Sequence, residues 1–293
     1  MGSELVGAIE IGGTHVTAAR VDVAERQVQA GSLLRRALPS NGTRDVLLAI
    51  IGEAAVSAAS AGVPRWGVAV PGPFDYERGL CTIAGVGKLD ALHGVDLRTA
   101  FASSLRVDPE AIRFLNDADA FLLGESWAGA ARGHDAAIGI TLGTGLGSAF
   151  MRGGAIQETG PGVPLEGRLD LVPFRGARVE DVISGRGLLA AYRRAGRDAA
   201  EVVEIAERAN AGELAAIETF REFGASLGEF LGPFIERFAP SCVVFGGGIS
   251  RAWPLFADGF RSACLPAERV VTIAPAEHLE EAPLLGAARY AAG

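Results

Sequence analysis

Two glycine-rich segments in different halves of the sequence could each hold a phosphate group. One reads Gly12-Gly13-Thr14 and the other Gly143-Thr144-Gly145-Leu146-Gly147. A phosphate held by main-chain amides needs successive N–H groups that point inward, and glycine lets the backbone approach the anion closely. Each segment also carries a threonine hydroxyl that can donate a hydrogen bond. One such segment is usually only a tight turn, but two at matching positions favour phosphate binding.

A third glycine segment, Gly246-Gly247-Gly248, follows a run of β-branched residues and precedes a predicted helix over residues 253–263. Bare backbone at a strand-to-helix turn allows a flat base or a ribose to lie against it. The alternative is an ordinary helix start with Ser250 as the N-cap. Because the other two glycine segments are present, the pattern favours nucleotide binding.

One aspartate stands where a proton acceptor would be needed. Residues 113–115 end a predicted strand, and Asn116-Asp117 follows directly before a helix-prone run at residues 118–129. A carboxylate at such a strand end can accept a proton from a substrate hydroxyl, and Asn116 can bond the same substrate. Asp117 is equally suited to cap the helix or complement its dipole, as Asp119 is, and the sequence leaves both roles open.

These residues are typical of phosphoryl transfer, which needs a carboxylate to orient the attacking hydroxyl and donors plus Mg²⁺ to hold the nucleotide phosphates. A dinucleotide-dependent dehydrogenase is a distant alternative, because the second glycine segment lacks the spacing of a Gly-x-Gly-x-x-Gly fingerprint. The four histidines form no His-Glu-x-x-His pair, and no Gly-x-Ser-x-Gly motif is present, which disfavours a hydrolase.

The apolar runs predict two α/β halves of similar order. Each half opens with two strands joined by a glycine turn, at residues 5–11 and 16–23 and at residues 136–142 and 147–151. The other predicted elements are a strand at 28–34, a helix at 45–61, a strand at 66–70, helices at 179–195, 199–210 and 213–238, and a strand at 242–245.

The domain organisation follows from these two halves. We expect a small N-terminal lobe of residues 1–115 and 281–293 and a larger lobe of residues 116–280, with the boundary where a strand ends at Leu115. The lobes are expected to face each other across a cleft that opens and closes.

Composition limits the partners and the location. The chain has 27 basic and 35 acidic residues and a net charge of −8, which argues against binding to nucleic acid. The longest uncharged stretch, residues 136–151, is too short for a membrane helix and contains four glycines. No export signal is visible, and the three widely spaced cysteines disfavour disulfides. We therefore expect a cytoplasmic protein that binds neither nucleic acid nor membrane.

Five separated motifs, taken together, resemble the ROK family, which groups bacterial sugar kinases with related repressors. In chain order they are Glu10-Ile11-Gly12-Gly13-Thr14, Val70-Pro71-Gly72-Pro73, Asn116-Asp117-Ala118-Asp119-Ala120, Thr141-Leu142-Gly143-Thr144-Gly145-Leu146-Gly147 and Phe245-Gly246-Gly247-Gly248-Ile249-Ser250. The resemblance implies a two-lobed, actin-like ATPase fold of the ribonuclease H-like type, ATP and Mg²⁺ as cofactors and a homodimer. The family's repressors carry an additional N-terminal helix-turn-helix, for which the residues before Gly12 leave no room, so the kinase branch is implied.

The resemblance also implies roles for individual residues. Asp117 matches the catalytic base and Asn116 a sugar ligand. The segments Gly12-Gly13-Thr14 and Gly143-Thr144-Gly145 match the two phosphate loops, and Gly246-Gly247-Gly248 matches the adenosine side.

Departures from the family pattern affect the metal and the sugar. Glu10 stands where the family usually has aspartate, and is the expected Mg²⁺ residue, through water. Leu165-Glu166-Gly167-Arg168 stands in place of a Glu-x-Gly-His motif, and the zinc-binding cysteine loop is absent, so no zinc is expected. Glu166, Arg168 and Glu180 are the further expected sugar-binding residues. Arg168 has five donors and no acceptor, so it implies a different hydroxyl pattern, or a salt bridge to Glu166.

The sequence thus predicts an ATP-dependent kinase that phosphorylates a primary hydroxyl of a hexose or of a sugar-like cyclitol. One alternative, suggested by Glu10 and Arg168, is a catalytically weak sugar and nucleotide sensor of the same fold. The other alternative keeps the chemistry but uses polyphosphate as the phosphoryl donor.

Overall fold

The computed structural model describes residues 4–39, 41–59, 62–85, 87 and 89–293. The strands of these residues are, in chain order, β1 (Leu5–Ile11), β2 (His15–Asp22), β3 (Gln27–Val28), β4 (Leu34–Ala37), β5 (Trp66–Val70), β6 (Phe74–Asp75), β7 (Leu80–Cys81), β8 (Ile112–Asn116), β9 (Ala136–Leu142), β10 (Leu146–Arg152), β11 (Ala155–Ile156), β12 (Pro173–Phe174), β13 (Ala177–Arg178), β14 (Cys242–Gly246) and β15 (Thr272–Pro275). The α-helices are α1 (Arg44–Ala59), α2 (Leu97–Leu105), α3 (Asp117–Ala128), α4 (Gly185–Arg194), α5 (Val202–Asn210), α6 (Leu214–Phe238), α7 (Trp253–Ala263) and α8 (Ala282–Ala292).

The chain forms two compact units. The first unit comprises Met1–Gly129 and Glu280–Gly293, and the second unit comprises Ala130–Leu279. The boundary predicted at Leu115 differs from this division, because it assigns α3 to the second lobe. In the structure α3 packs on α8, so closely that a Cβ added at Gly286 of α8 would collide with the carbonyl oxygen of Ala120 in α3. This close helix contact keeps α3 in the first unit.

The main sheet of the first unit has the strand order β3-β2-β1-β5-β8, and β4 also pairs with β2. β1 and β2 are antiparallel, whereas β1, β5 and β8 are parallel. Alternate residues of β1 enter two different cores, with Ile9 and Ile11 in one and Val6 and Ala8 in the other. Because side chains alternate along a strand, Glu10 lies on the same face as Ala8, which is the face that packs against α8.

The main sheet of the second unit repeats this arrangement with the order β11-β10-β9-β14-β15. β9 and β10 are antiparallel, and β9, β14 and β15 are parallel. Its core includes side chains from the sheet and from α4, α5, α6 and α7. Each sheet therefore contains the predicted antiparallel hairpin with a glycine turn, β1–β2 in the first unit and β9–β10 in the second.

Two predicted elements differ from the structure by more than three residues. The strand predicted at 28–34 is divided into β3 and β4, because the chain turns at Gly31, and the Ser32 hydroxyl fixes the turn by donating to the Gln29 carbonyl (2.7 Å). The helix predicted at 179–195 begins only at Gly185, because Ser184 is its N-cap. The helix predicted at 45–61 is α1, and Ser60 and Ala61 lie outside the described residues.

Candidate functional site

Asn116 and Asp117 stand at the junction of β8 and α3. The Asn116 Oδ1 atom accepts hydrogen bonds from the amides of Ala118 (2.9 Å) and Asp119 (3.4 Å), so Asn116 is the N-cap of α3. Asp117 is the first helical residue and is half-buried. Its Oδ1 atom accepts from the Ala118 amide (3.0 Å). Asn116 therefore supplies the cap, whereas Asp117 lies in the first turn, where it can still complement the helix dipole, and its role as a base stays a prediction.

Tyr76 is a member of this site that sequence reasoning missed. Its hydroxyl donates to the carbonyl oxygen of Val70 (3.3 Å) and accepts a hydrogen bond from Asn116 Nδ2 (3.1 Å). Val70 and Asn116 are opposite each other at the ends of the parallel strands β5 and β8. Forty positions separate Tyr76 from Asn116 in the chain, and no local pattern in the sequence connects them.

Glu10, Thr17 and Arg35 lie in one row across the first sheet, since Thr17 on β2 is opposite Glu10 on β1 and also opposite Arg35 on β4. Burial, and to a smaller extent the nearby Asp117 carboxylate, raise the pKa of Glu10 from its ordinary 4.5 to about 7. Arg35 and a hydrogen bond with Thr17 act in the opposite direction. The Glu10 carboxyl group therefore gains and loses its proton near neutral pH. Arg35 was also missed in the sequence.

The first glycine turn, Gly12-Gly13-Thr14, connects β1 to β2. The Gly12 amide donates to the carbonyl oxygen of His15 (2.8 Å), which closes the turn. Within the described part of the chain, no group accepts a hydrogen bond from the amides of Gly13 and Thr14. Burial and the Arg35 charge lower the pKa of His15, which favours the neutral ring. The turn thus offers two adjacent main-chain donors, as a phosphate ligand requires.

The second glycine turn, Gly143-Thr144-Gly145, connects β9 to β10. The Gly185 amide donates to the Gly143 carbonyl oxygen (2.8 Å), and the Leu146 amide donates to Glu180 Oε1 (3.2 Å). A Cβ added at Gly145 would collide with the same Glu180 oxygen. Backbone and side-chain contacts therefore hold this turn on two sides.

Glu180 has a structural task in the second unit. Its Oε1 atom accepts from the Leu146 amide, and its Oε2 atom pairs with Arg178 (2.8 Å). The resemblance assigns Glu180 to the sugar, and that role stays a prediction. Arg178 was not singled out in the sequence, although its position two residues before Glu180 on a short strand is compatible with such a pair.

A cavity of about 780 Å³ opens in the second unit beside the second glycine turn. Gly143 and Thr144 line it together with Gly248 of the third glycine segment. Its walls are mainly apolar and include Leu189, Val202, Ile249 and Leu255, and its polar groups include the arginines Arg186, Arg193 and Arg251. The volume and the mixture of apolar walls with a few cationic groups suit a ligand of nucleotide size.

Arg168 forms a bidentate ion pair with Asp170, with distances of 3.2 Å from Nε to Oδ1 and 2.6 Å from Nη2 to Oδ2. The alternative pairing with Glu166 is wrong, because the Arg168 guanidinium pairs with Asp170 instead, while Glu166 lies exposed in a tight turn with a φ of 54°. Ser148 fixes this turn by donating to the Gly167 carbonyl oxygen (2.6 Å). Asp170 is therefore the partner of Arg168 that the sequence did not indicate.

The first unit has carboxylates that suit a nucleotide-bound Mg²⁺ ion. Among the described residues no group of three or more His, Cys, Asp or Glu side chains could hold a metal alone. Mg²⁺ is usually held by one or two carboxylates together with substrate phosphates and water. The negative charge of Asp117 acts on Glu10 and contributes to its raised pKa, and a bound cation would offset that repulsion. Glu10 is thus a fitting residue for a metal that arrives with a phosphorylated ligand.

Comparison with known proteins decides the family, since the model of the ROK family matches residues 6–293. The chain belongs to the ROK family. It is 29% identical over 272 residues to the N-acetyl-D-glucosamine kinase of Pectobacterium atrosepticum, with 85% of this chain and 88% of the relative covered. It is 27% identical over 272 residues to the glucokinase of Thermotoga maritima, with 85% and 83% covered.

A solved ROK family structure is similar over nearly the whole chain. The ROK family glucokinase from Streptomyces griseus, in complex with glucose and AMPPNP, superposes with a TM-score of 0.78 at 26% identity and 98% coverage of both chains. The predicted α/β fold of the actin-like ATPase type is thereby confirmed. The similarity to these ROK family sugar kinases supports the prediction that this protein is a sugar kinase. None of the helices in the described ranges has the length and hydropathy of a membrane span.

Proposed function

We propose that this protein transfers the γ-phosphoryl group of ATP to a primary hydroxyl of a hexose or a sugar-like cyclitol, with Asp117 as the general base. The observation that carries the proposal is the division of roles at the start of α3. Asn116 caps the helix, so the Asp117 carboxylate is held in place without having to serve as the cap itself. Its ROK relatives that act on glucose and N-acetyl-D-glucosamine support a sugar as the acceptor.

ATP is favoured over polyphosphate as the donor by the cavity in the second unit. A polyphosphate chain has no apolar part, whereas Leu189, Val202, Ile249 and Leu255 form an apolar wall. A purine and its ribose would bury that wall and leave the phosphates near the cationic and main-chain donors. The AMPPNP complex of the similar S. griseus glucokinase supports the same donor class.

The transfer itself requires one proton to move and one phosphorus–oxygen bond to be exchanged. As the substrate oxygen bonds to the γ-phosphorus, its proton passes to the Asp117 carboxylate, and the bond from the γ-phosphorus to the bridging oxygen of ADP breaks. The amides of Gly13 and Thr14 in the first unit are main-chain donors suited to phosphate oxygens, and the family resemblance assigns a phosphate-binding role to the second glycine turn as well. When bound, Mg²⁺ neutralises charge on those oxygens, and Glu10 is the residue that would hold it, through water.

The sugar side rests on the family resemblance. Asn116, Glu166, Arg168 and Glu180 are the proposed ligands of the acceptor. Because Arg168 is already paired with Asp170, we expect it to orient that carboxylate as well as to offer its own donors to the sugar hydroxyls. A homodimer and a cytoplasmic location are likewise proposed from the resemblance and the composition.

An acceptor screen tests the proposal. Purified protein with ATP and Mg²⁺ is assayed for ADP release against hexoses, amino sugars and cyclitols, and polyphosphate is supplied in parallel as the donor. We expect ATP-dependent turnover of at least one acceptor and an Asp117→Asn variant slowed by about 10²–10⁴-fold in kcat. Asp119→Asn, a change to the neighbouring acid in the same helical turn, is the matched control and should keep near wild-type kcat. Ligand-induced thermal shifts without any ADP release would favour the sensor instead.

A further inference from the structure

We propose that Tyr76 is a positioning residue for the acceptor, which acts by fixing the side-chain amide of Asn116. The inference rests on the proposed function, in which Asn116 binds the acceptor. Tyr76 belongs to none of the motifs that carry the family resemblance, and its role comes from the contacts of its hydroxyl group in the first unit.

The Tyr76 hydroxyl joins the ends of two parallel strands. Val70 ends β5, Asn116 ends β8, and the two residues are opposite each other in the sheet. A tyrosine hydroxyl has a single proton, and here it is donated to the Val70 carbonyl oxygen (3.3 Å). The oxygen is then available to accept a hydrogen bond from Asn116 Nδ2 (3.1 Å). The direction of each bond in this chain is therefore determined.

The same contacts determine the orientation of the Asn116 amide. Oδ1 faces the start of α3, where it accepts from the amides of Ala118 and Asp119, so a rotation that exchanged oxygen and nitrogen would break both bonds. An asparagine amide has two N–H donors, and one of them is used by Tyr76. Within the described residues, the second N–H donor has no acceptor.

This leaves Asn116 with a single defined function toward a ligand, which is to donate one hydrogen bond. The next residue, Asp117, is an acceptor when ionised. A donor beside an acceptor fits an alcohol that accepts from Asn116 while it gives its proton to Asp117, or two neighbouring hydroxyls with these complementary roles. Tyr76 thus contributes to selecting a polyol by keeping the Asn116 donor in one direction.

Tyr76→Phe removes the hydroxyl and keeps the ring, which contacts Phe74 with 5.2 Å between ring centroids. Tyr290→Phe is the matched control, because Tyr290 contacts Arg113 through its ring face and its carbonyl oxygen rather than through its hydroxyl. Tyr192→Phe controls for general loss of stability, since the buried Tyr192 hydroxyl donates to Glu213 (2.7 Å) in the second unit.

The kinetic test separates positioning from destabilisation. We expect Tyr76→Phe to raise KM for the acceptor by about tenfold, the value of one neutral hydrogen bond, with KM for ATP and kcat near wild type. Tyr290→Phe should match wild type in KM for the acceptor, KM for ATP and kcat. Tyr192→Phe should lower Tm without a selective rise in KM for the acceptor. A Tyr76→Phe variant with the kinetics of Tyr290→Phe would overturn the inference.

A second measurement does not depend on turnover. The sequence contains three asparagines, Asn41, Asn116 and Asn210, so protein labelled with [¹⁵N]asparagine gives three side-chain amide groups by NMR, and Asn116→Asp identifies the middle one by its loss. In wild type we expect one Asn116 side-chain proton to exchange slowly with water and the other quickly. In Tyr76→Phe both Asn116 side-chain amide protons should exchange quickly with water, and their chemical shifts should change. Unchanged Asn116 signals would overturn the inference even if the enzyme is active.

The two tests also distinguish this inference from the proposed function. A wild-type protein that phosphorylates no acceptor in the screen contradicts the proposed function, and the NMR measurement then decides whether Tyr76 fixes Asn116. An active wild type with equal Tyr76→Phe and Tyr290→Phe kinetics contradicts only the role of Tyr76.

Discussion

The two glycine turns occupy corresponding hairpins in similar sheets, but their surroundings differ in kind. The first turn is bordered by groups that titrate or carry charge, since Arg35 on β4 lowers the pKa of both Glu10 on β1 and His15 on β2. The second turn is held by a backbone bond from Gly185 to Gly143 and by the Glu180 carboxylate. The repeated topology therefore places a glycine turn in each sheet. The neighbouring side chains differ, so the first turn lies among ionisable groups, whereas the second is held in place by hydrogen bonds.

The electrostatic difference predicts that Glu10 makes the stability of the protein depend on pH. The folded-state pKa of about 7 exceeds the ordinary 4.5, so between these values the unfolded chain ionises first. The stabilisation by protonated Glu10 is complete below the unfolded pKa and is lost as pH rises through the folded one. We expect the unfolding free energy of wild type, relative to Glu10→Gln, to fall by about 3 kcal/mol between pH 4.5 and pH 7.

Urea unfolding at several pH values measures this difference. In an Asp117→Asn background the fall in unfolding free energy between pH 4.5 and pH 7 should become smaller but not disappear. Burial is a larger cause of the raised Glu10 pKa than the Asp117 charge is. A stability difference that stays constant over this pH range would mean that Glu10 is not held in an apolar and acidic environment.

A smaller effect is expected from steric crowding in the second turn. Gly145→Ala places a methyl group against the Glu180 carboxylate, which must move away from the Leu146 amide. The loss of that bond to a charged acceptor should lower the unfolding free energy by about 2 kcal/mol and raise KM for ATP. Gly143→Ala is the matched control, because an added Cβ there would have no atom within 4 Å. Equal stability of the two variants would contradict the described contact of Glu180.

Much of the fold was predictable from the sequence, because the two hairpins and the strand-helix junction at Asn116 carry strong local signals in alternation, glycines and caps. The strand predicted at 28–34 was wrong, since the turn at Gly31 depends on the Ser32 hydroxyl and its contact with Gln29.

The site was predictable where backbone geometry dictates residue type, as in the glycine turns. It was not predictable where distant residues meet through the fold, as for Tyr76 with Asn116 or Arg35 with Thr17 and Glu10. Pairing of Arg168 with Asp170 rather than Glu166 likewise depends on the conformation of one turn. The residue roles taken from the family resemblance stay predictions.

The smallest expected effect concerns Arg178, which forms an ion pair with the Glu180 carboxylate beside the second turn. The Arg178 side chain is 72% exposed, whereas that of Glu180 is 17% exposed. Water and salt screen such a pair, so Arg178→Ala should lower the unfolding free energy by less than about 1 kcal/mol, and 1 M NaCl should remove most of that loss. Glu180→Ala should cost more and keep its effect in salt, because it leaves the Leu146 amide without its acceptor. If Arg178→Ala were as costly as Glu180→Ala, the second turn would depend on charge as strongly as the first.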